Sequence, residues 1–145
     1  MLLFIEFIVI TRDINAVKGI VVVACFLKAK TFKEFLTRYV KNVYVKTIEK
    51  MKDKPLDAIE EKIRETYRLE KAEDVVEITN DGKSLRVKVE YCPAVKHLKK
   101  TGREVSKWFV YTTKGVMGAL ADIANLKFDF ISYDEQTGKA EYLFY

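Results

Sequence analysis

The chain is poor in the residues that most often carry chemistry, with one histidine and two cysteines among 145 residues. A single imidazole excludes a histidine-rich metal centre. Cys25 and Cys92 stand far apart with no CxxC spacing, which argues against a disulfide scaffold and against a zinc site. Proline occurs twice and glycine six times, so no low-complexity tract or linker divides the chain. No phosphate-binding glycine loop is present, because "TTKGVMG" lacks the GxxxxGK[ST] spacing. No apolar run reaches the roughly 20 residues that a membrane-spanning helix requires. "MLLFIEFIVI" and "GIVVVACFL" are each much shorter. Glu6 interrupts the first, and Arg12, Asp13 and Lys18 separate the two. No small-residue cleavage site follows a basic leader. Their Ile, Val and Phe content reads as buried strands, a hairpin joined by "TRDINAVK". A buried helix is the alternative, since periodicity does not separate the two. A reducing cytoplasm is the expected compartment.

What is present is an ordinary globular balance, 49% apolar and 32% charged residues, in a length that suits one domain with a sizeable core. The expected organisation is a single domain over 1–145. It has apolar strands or a helix in 1–30, two helices in 31–70, and a hairpin, a glycine-rich helix and a terminal hairpin in 74–145. A net charge of +5 brings anionic partners into question. However, "EEKIRETYRLEKAED" alternates sign as a solvated helix face does, so nucleic acid is not an expected partner. The most one-sided stretches, "KDK" and "HLKK", are short for a binding arm.

Local patterns place the elements. "TFKE" offers a capping box from Thr31 and Glu34. Phe32, Phe35, Leu36, Tyr39, Val40, Val43, Ile48 and Met51 then recur at helical spacing, predicting one helix to Met51. "DKP" ends it, and Pro55 suits the first turn of the next helix, whose buried stripe is Leu56, Ile59, Ile63 and Tyr67. In "DVVEITNDGKSLRVKVEYC", Asp81-Gly82 predicts a two-residue turn. That turn would set Ile78 opposite Leu85, Val76 opposite Val87 and Glu77 opposite Arg86. "PAVKHLKKTG" predicts a short helix stopped by Gly102. "SKWFVYTTKGVMGALADIANL" predicts a helix from Thr113 to Asn125 with Val116, Leu120 and Ile123 on one side. Gly115, Gly118, Ala119 and Ala121 keep it slim. "KFDFISY" and "KAEYLFY" predict two strands around a "DEQTG" turn with Gly138 left-handed. Phe128, Phe130, Tyr142 and Phe144 share one face, while Ile131, Leu143 and Tyr145 occupy the other. Both faces are therefore partly apolar, and a helix, a partner subunit or a ligand is expected over the second.

Taken together, "LRVKVEYCPAV" and "TTKGVMGALADIANLKFDFISYDEQTGKAEYLFY" resemble the 4-vinyl-reductase family of small hydrocarbon-binding domains. That family shares its fold with Golgi-transport subunits and, more distantly, with haem nitric-oxide-binding domains. "KGVMGALADIAN" is similar to the family's glycine-rich helix and "FDFISYDEQTGKAEYLFY" to its terminal hairpin. The resemblance covers about 60 residues. It implies an α+β domain, an antiparallel sheet with helices packed against it, and a homodimer. It also implies a small apolar molecule as ligand, with Trp108, Tyr111, Phe130, Tyr142 and Phe144 lining the site. Members place cysteines and acids near that hairpin, but here those strands hold neither Cys nor His. No metal or cofactor is therefore expected, and His97 is not placed as a haem ligand. Aminothiazoline-carboxylate hydrolases have a similar carboxy-terminal pattern, and their cysteines are missing too.

The function expected is non-catalytic binding of a small hydrophobic ligand, as sensor or carrier. One alternative is an assembly module with a filled core and an exposed interaction patch. Another is a small hydrolase or reductase in which His97 activates the Cys92 thiol. A thiol nucleophile needs such a base or a depressed pKa, whereas a free cysteine more often packs as a small hydrophobe.

Overall fold

The computed structural model describes residues 29–107 and 109–145, and the expectation of strands or a helix in the apolar 1–28 segment lies outside them. The described residues form an α+β domain, five helices and a four-stranded antiparallel sheet. The elements in chain order are α1 (Ala29–Val43), α2 (Val45–Met51), α3 (Pro55–Leu69), a 3-10 turn (Glu73–Val75), β1 (Val76–Asn80), β2 (Leu85–Val89), α4 (Pro93–Lys100), α5 (Val110–Ala124), β3 (Phe128–Tyr133) and β4 (Ala140–Phe144).

The single helix expected up to Met51 is two. Tyr44 leaves the helical region at φ −103° and ψ 28°, between the β-branched Val43 and Val45, which crowd a helical turn. Backbone bonds from Tyr44 N to Val40 O and from Ile48 N to Tyr44 O, both 2.9 Å, carry the ladder across the break. Helix α1 begins at Ala29, so Thr31 stands inside the helix and not at its cap. Pro55 opens α3, where its missing N–H leaves no bond unmade. The stripe of α3 is as expected, with Leu56, Ile59 and Ile63 buried and Tyr67 half-buried.

The sheet order is β1-β2-β4-β3. Two hairpins therefore lie side by side, with β2 and β4 in the centre and β1 and β3 at the edges. One face is apolar, built from Val76 and Ile78, then Leu85, Val87 and Val89, then Ala140, Tyr142 and Phe144, and finally Phe128 and Phe130. It packs on Leu36, Val40, Ile59, Ile63, Val116 and Leu120 of the helices. Helix α5 lies close on α1, because Gly115 presents no side chain there. A methyl group at that position would stand 2.7 Å from Cδ1 of Leu36.

The β1–β2 register differs from the expected one by two residues. Ile78 faces Val87, Val76 faces Val89 and Glu77 faces Lys88. The Asp81 carboxylate accepts from the N–H groups of Lys83 (2.9 Å) and Ser84 (2.6 Å). This holds Asp81 opposite Ser84, so the turn centres on Gly82 and Lys83. Gly82 takes φ +79° as the first central residue, where hairpin turns of the primed kind place glycine. An even shift returns every side chain to its intended face, so the core is the one expected.

The second sheet face is partly apolar, as the strands predicted, with Ile131, Leu143 and Tyr145 on it, but it is mostly charged and polar. It carries Glu77, Thr79, Arg86, Lys88, Asp129 and Glu141, with Ile131 49% and Tyr145 42% exposed. Arg86 Nε donates to Glu141 at 2.6 Å across β2 and β4. A bulge between Phe130 and Ser132 adds one residue to β3, which leaves Ile131 on the outer side and brings Tyr133 back to the core side with Phe128 and Phe130. Among the described residues nothing covers this face, and an antiparallel sheet with one wet side needs no cover.

Candidate functional site

Three of the residues expected to line a ligand site meet beneath the terminal hairpin. Phe144 and Tyr142 are 0% and 2% exposed, and Phe130 is half-buried at the edge of the same cluster. Their rings fill the space between themselves. Phe130 stacks on Tyr142 with centroids 6.2 Å apart and planes 14° off parallel. Tyr142 meets Phe144 edge-on at 6.0 Å, and Phe128 lies 5.0 Å from Phe144. These are the separations of directly packed aromatic pairs. Tyr111 stands apart from that cluster's interior, 39% exposed on the first turn of α5. One turn further on, Lys114 holds its Nζ 5.8 Å from the Phe130 ring centre. Trp108 lies outside the described residues.

Cys92 and His97 take separate environments. Cys92 precedes α4 in an extended conformation and is 7% exposed. Its backbone N–H donates to Thr137 O at 2.9 Å, fixing α4 to the turn of the β3–β4 hairpin. Burial pushes the thiol above its ordinary value, against the smaller opposite effect of the Val95 and Ala94 N–H groups. A thiol held protonated is a poor nucleophile. His97 is exposed in the last turn of α4, and no hydrogen bond joins it to Cys92. Among the described residues there is no group of three His, Cys, Asp or Glu side chains able to hold a metal ion.

A group of tyrosines around Cys92 was not singled out in the sequence. Burial raises the Tyr67 phenol well above its usual value, with further increments from Tyr142, Cys92 and Glu70. Tyr142 is raised by burial, then by Cys92 and Tyr44. Tyr133 is pushed up to about 12, again by burial first and Cys92 second. The Tyr133 hydroxyl is buried without a hydrogen-bond partner among the described residues. Beside the group, Thr66, Tyr67, Glu70, Pro93 and Ala94 surround a cavity of about 10 Å³, room for one water molecule. The sequence signal available was the count of tyrosines alone, because their meeting depends on long-range packing of α3, β3, β4 and α4.

The outer surface of α4 is basic, with no acid within the helix. Ala94 and Val95 are buried against Cys92, which turns Lys96, His97, Lys99 and Lys100 to solvent. Lys96 covers the ring of Tyr91 at 4.4 Å, and Lys99 donates to Gln136 Oε1 at 3.0 Å. The adjoining acid, Asp134, accepts from Thr137 Oγ1 at 2.7 Å and from Gln136 N at 2.8 Å. Those two bonds, followed by the charges of Lys99 and Lys139, hold its carboxyl below the usual range.

In comparisons with known proteins, no family model, no curated protein and no solved structure matches the chain. No helix among the described residues is long and apolar enough to cross a membrane.

Proposed function

We propose that this domain is a non-catalytic interaction module that works through its exterior. The observation carrying this reading is the packed state of Phe128, Phe130, Tyr142 and Phe144. Their rings contact one another where a small apolar ligand was expected to lie. The protonated, buried Cys92 and the exposed His97 support a non-catalytic role. Association of two copies, which the family resemblance implies, is one form that such assembly takes.

A second reading keeps the small apolar molecule, and the unpartnered Tyr133 hydroxyl favours it. A buried hydroxyl without a partner costs about 1–3 kcal/mol, which a ligand bearing one acceptor would recover. Native mass spectrometry of the purified protein, with thermal melts against a panel of hydrocarbons and terpenoid alcohols, separates the two. The module reading expects the bare chain mass, as monomer or dimer, and melting points unmoved by the panel. A bound molecule, or a panel member that raises the melting point of the parent but not of Tyr133→Phe, would transfer the function to the ligand site.

A further inference from the structure

We propose that the outer surface of α4 docks an acidic helical segment of a protein partner, an inference that rests on the interaction-module reading. Residues 93–107 hold five cations, Lys96, Lys99, Lys100, Arg103 and Lys107, against one acid, Glu104. Lys96, Lys99 and Lys100 fall at i, i+3 and i+4 and so share one side of the helix. Thr101 and Gly102 close the helix, with Gly102 at φ +69°, and Arg103 follows, exposed.

Neither the helix dipole nor ion pairing accounts for all of Lys96, Lys99, Lys100 and Arg103, although Lys96 also lies over Tyr91 and Lys99 bonds Gln136. Cations in a last helical turn offset the helix dipole, which explains Lys99 and Lys100 but not Lys96 in the middle or Arg103 beyond the cap. Ion pairing serves elsewhere. On α1 and α2, Lys33 and Lys50 reach Asp122 (2.7 Å) and Glu61 (2.6 Å), while Arg38, Lys41 and Lys46 stand further apart along the helices. Around α3, Lys62 pairs with Glu65 at 2.7 Å and Arg64 with Glu60 at 2.8 Å. On α4 no acid interrupts the lysines, and among the described residues none of Lys96, Lys99, Lys100 and Arg103 has a carboxylate within salt-bridge distance.

The spacing selects the partner. Carboxylates at i and i+3 or i+4 of a helix repeat every 5–6 Å or so, the pitch that Lys96, Lys99 and Lys100 present. Duplex affinity is built from many phosphate contacts, whereas this short helix presents three lysines on one side. The tyrosine within the patch, Tyr91, is already covered by Lys96 and not open to a base. Insertion into lipid requires a free apolar face, whereas that of α4 is spent on Cys92 and the β3–β4 turn.

The test uses the full chain and a fluorescent helical peptide with Glu at i, i+3, i+4 and i+7, followed by anisotropy at low and physiological salt. Lys96→Gln/Lys99→Gln/Lys100→Gln is expected to weaken binding about tenfold or more. The same three positions changed to Arg should stay within about threefold of the parent, and so should Lys41→Gln/Lys46→Gln/Lys52→Gln, an equal loss of charge elsewhere. Circular dichroism melts confirm that each variant is folded, and the Arg series carries the comparison if the Gln series is not. Equal losses from the two Gln series overturn the proposal. So does tighter binding of a single-stranded oligonucleotide or of phosphatidylserine vesicles than of the peptide. Such a failure removes the α4 surface alone, whereas a ligand found by mass spectrometry removes the module reading and leaves the peptide result standing.

Discussion

The two hairpins of the sheet are built alike and used differently. Each pairs a central strand with an edge strand, and each turns at a left-handed glycine, Gly82 at φ +79° and Gly138 at φ +70°. The β1–β2 turn projects into solvent, and a methyl group on Gly82 would meet nothing within 4 Å. The β3–β4 turn is a packing surface. A methyl on Gly138 would collide with Cβ of Cys92 and stand 3.0 Å from Cγ2 of Val95. Both turns are held locally, by Asp81 in the first and by Asp134 in the second, and only the second is also packed under α4. The difference implies that the second hairpin carries more of the cooperativity of the fold and positions the basic surface of α4.

The largest effect expected is therefore at the centre of the second hairpin. Phe144→Ala removes a ring that is 0% exposed and should cost about 3–5 kcal/mol. That is a large part of the roughly 5–15 kcal/mol that stabilises a domain of this kind. Ile78→Ala, half-buried on edge strand β1, should cost only about 1–2 kcal/mol. Urea unfolding followed by circular dichroism measures both. Equal losses at the two positions would break the distinction between the hairpins.

The turns sharpen it. Gly138→Ala adds a collision with Cys92 to the strain of a left-handed alanine, together about 2–4 kcal/mol. Gly82→Ala carries the strain alone, about 1 kcal/mol. The same unfolding measurement applies, with a second readout in alkylation of Cys92. The Gly138 variant should expose the thiol to iodoacetamide under native conditions, and the Gly82 variant should not. If Gly82→Ala proves the more damaging change, α4 does not lock the second hairpin.

How far the sequence foretold this follows the same division. Alternation at Leu85, Val87 and Val89 and at Phe128, Phe130, Tyr142 and Phe144 set the core face correctly, because a period of two survives a register error of two. The register itself was misjudged, since the side chain of Asp81 takes two N–H groups that the Asp81-Gly82 reading left to the backbone. The sequence placed Ile131, Leu143 and Tyr145 on the second face correctly, but no residue in "FDFISY" announces the bulge that returns Tyr133 to the core. Gly138 was legible as left-handed but not as the seat of α4, and Cys92 showed no sign of its tyrosine neighbours. Contacts of that kind join residues dozens of positions apart, beyond the reach of local pattern.

The smallest effect concerns two hydroxyls on the second hairpin, one on central β4 and one on edge β3. Burial raises both the Tyr142 and the Tyr133 phenols, the latter to about 12, from an ordinary value near 10. A raised folded pKa contributes stability that is complete below the unfolded value and is lost as pH climbs through the folded one. The unfolded chain ionises first, so melting temperature should fall as pH rises above about 10. Tyr142→Phe should flatten that fall more than Tyr133→Phe, because Tyr142 is the more deeply buried of the two. At neutral pH the order reverses. Tyr133→Phe deletes a hydroxyl that has no partner and should be neutral or stabilising by about 0–1 kcal/mol. A loss above about 1 kcal/mol there would mean that the hydroxyl is bonded in solution, and the case for a polar ligand at Tyr133 would go with it.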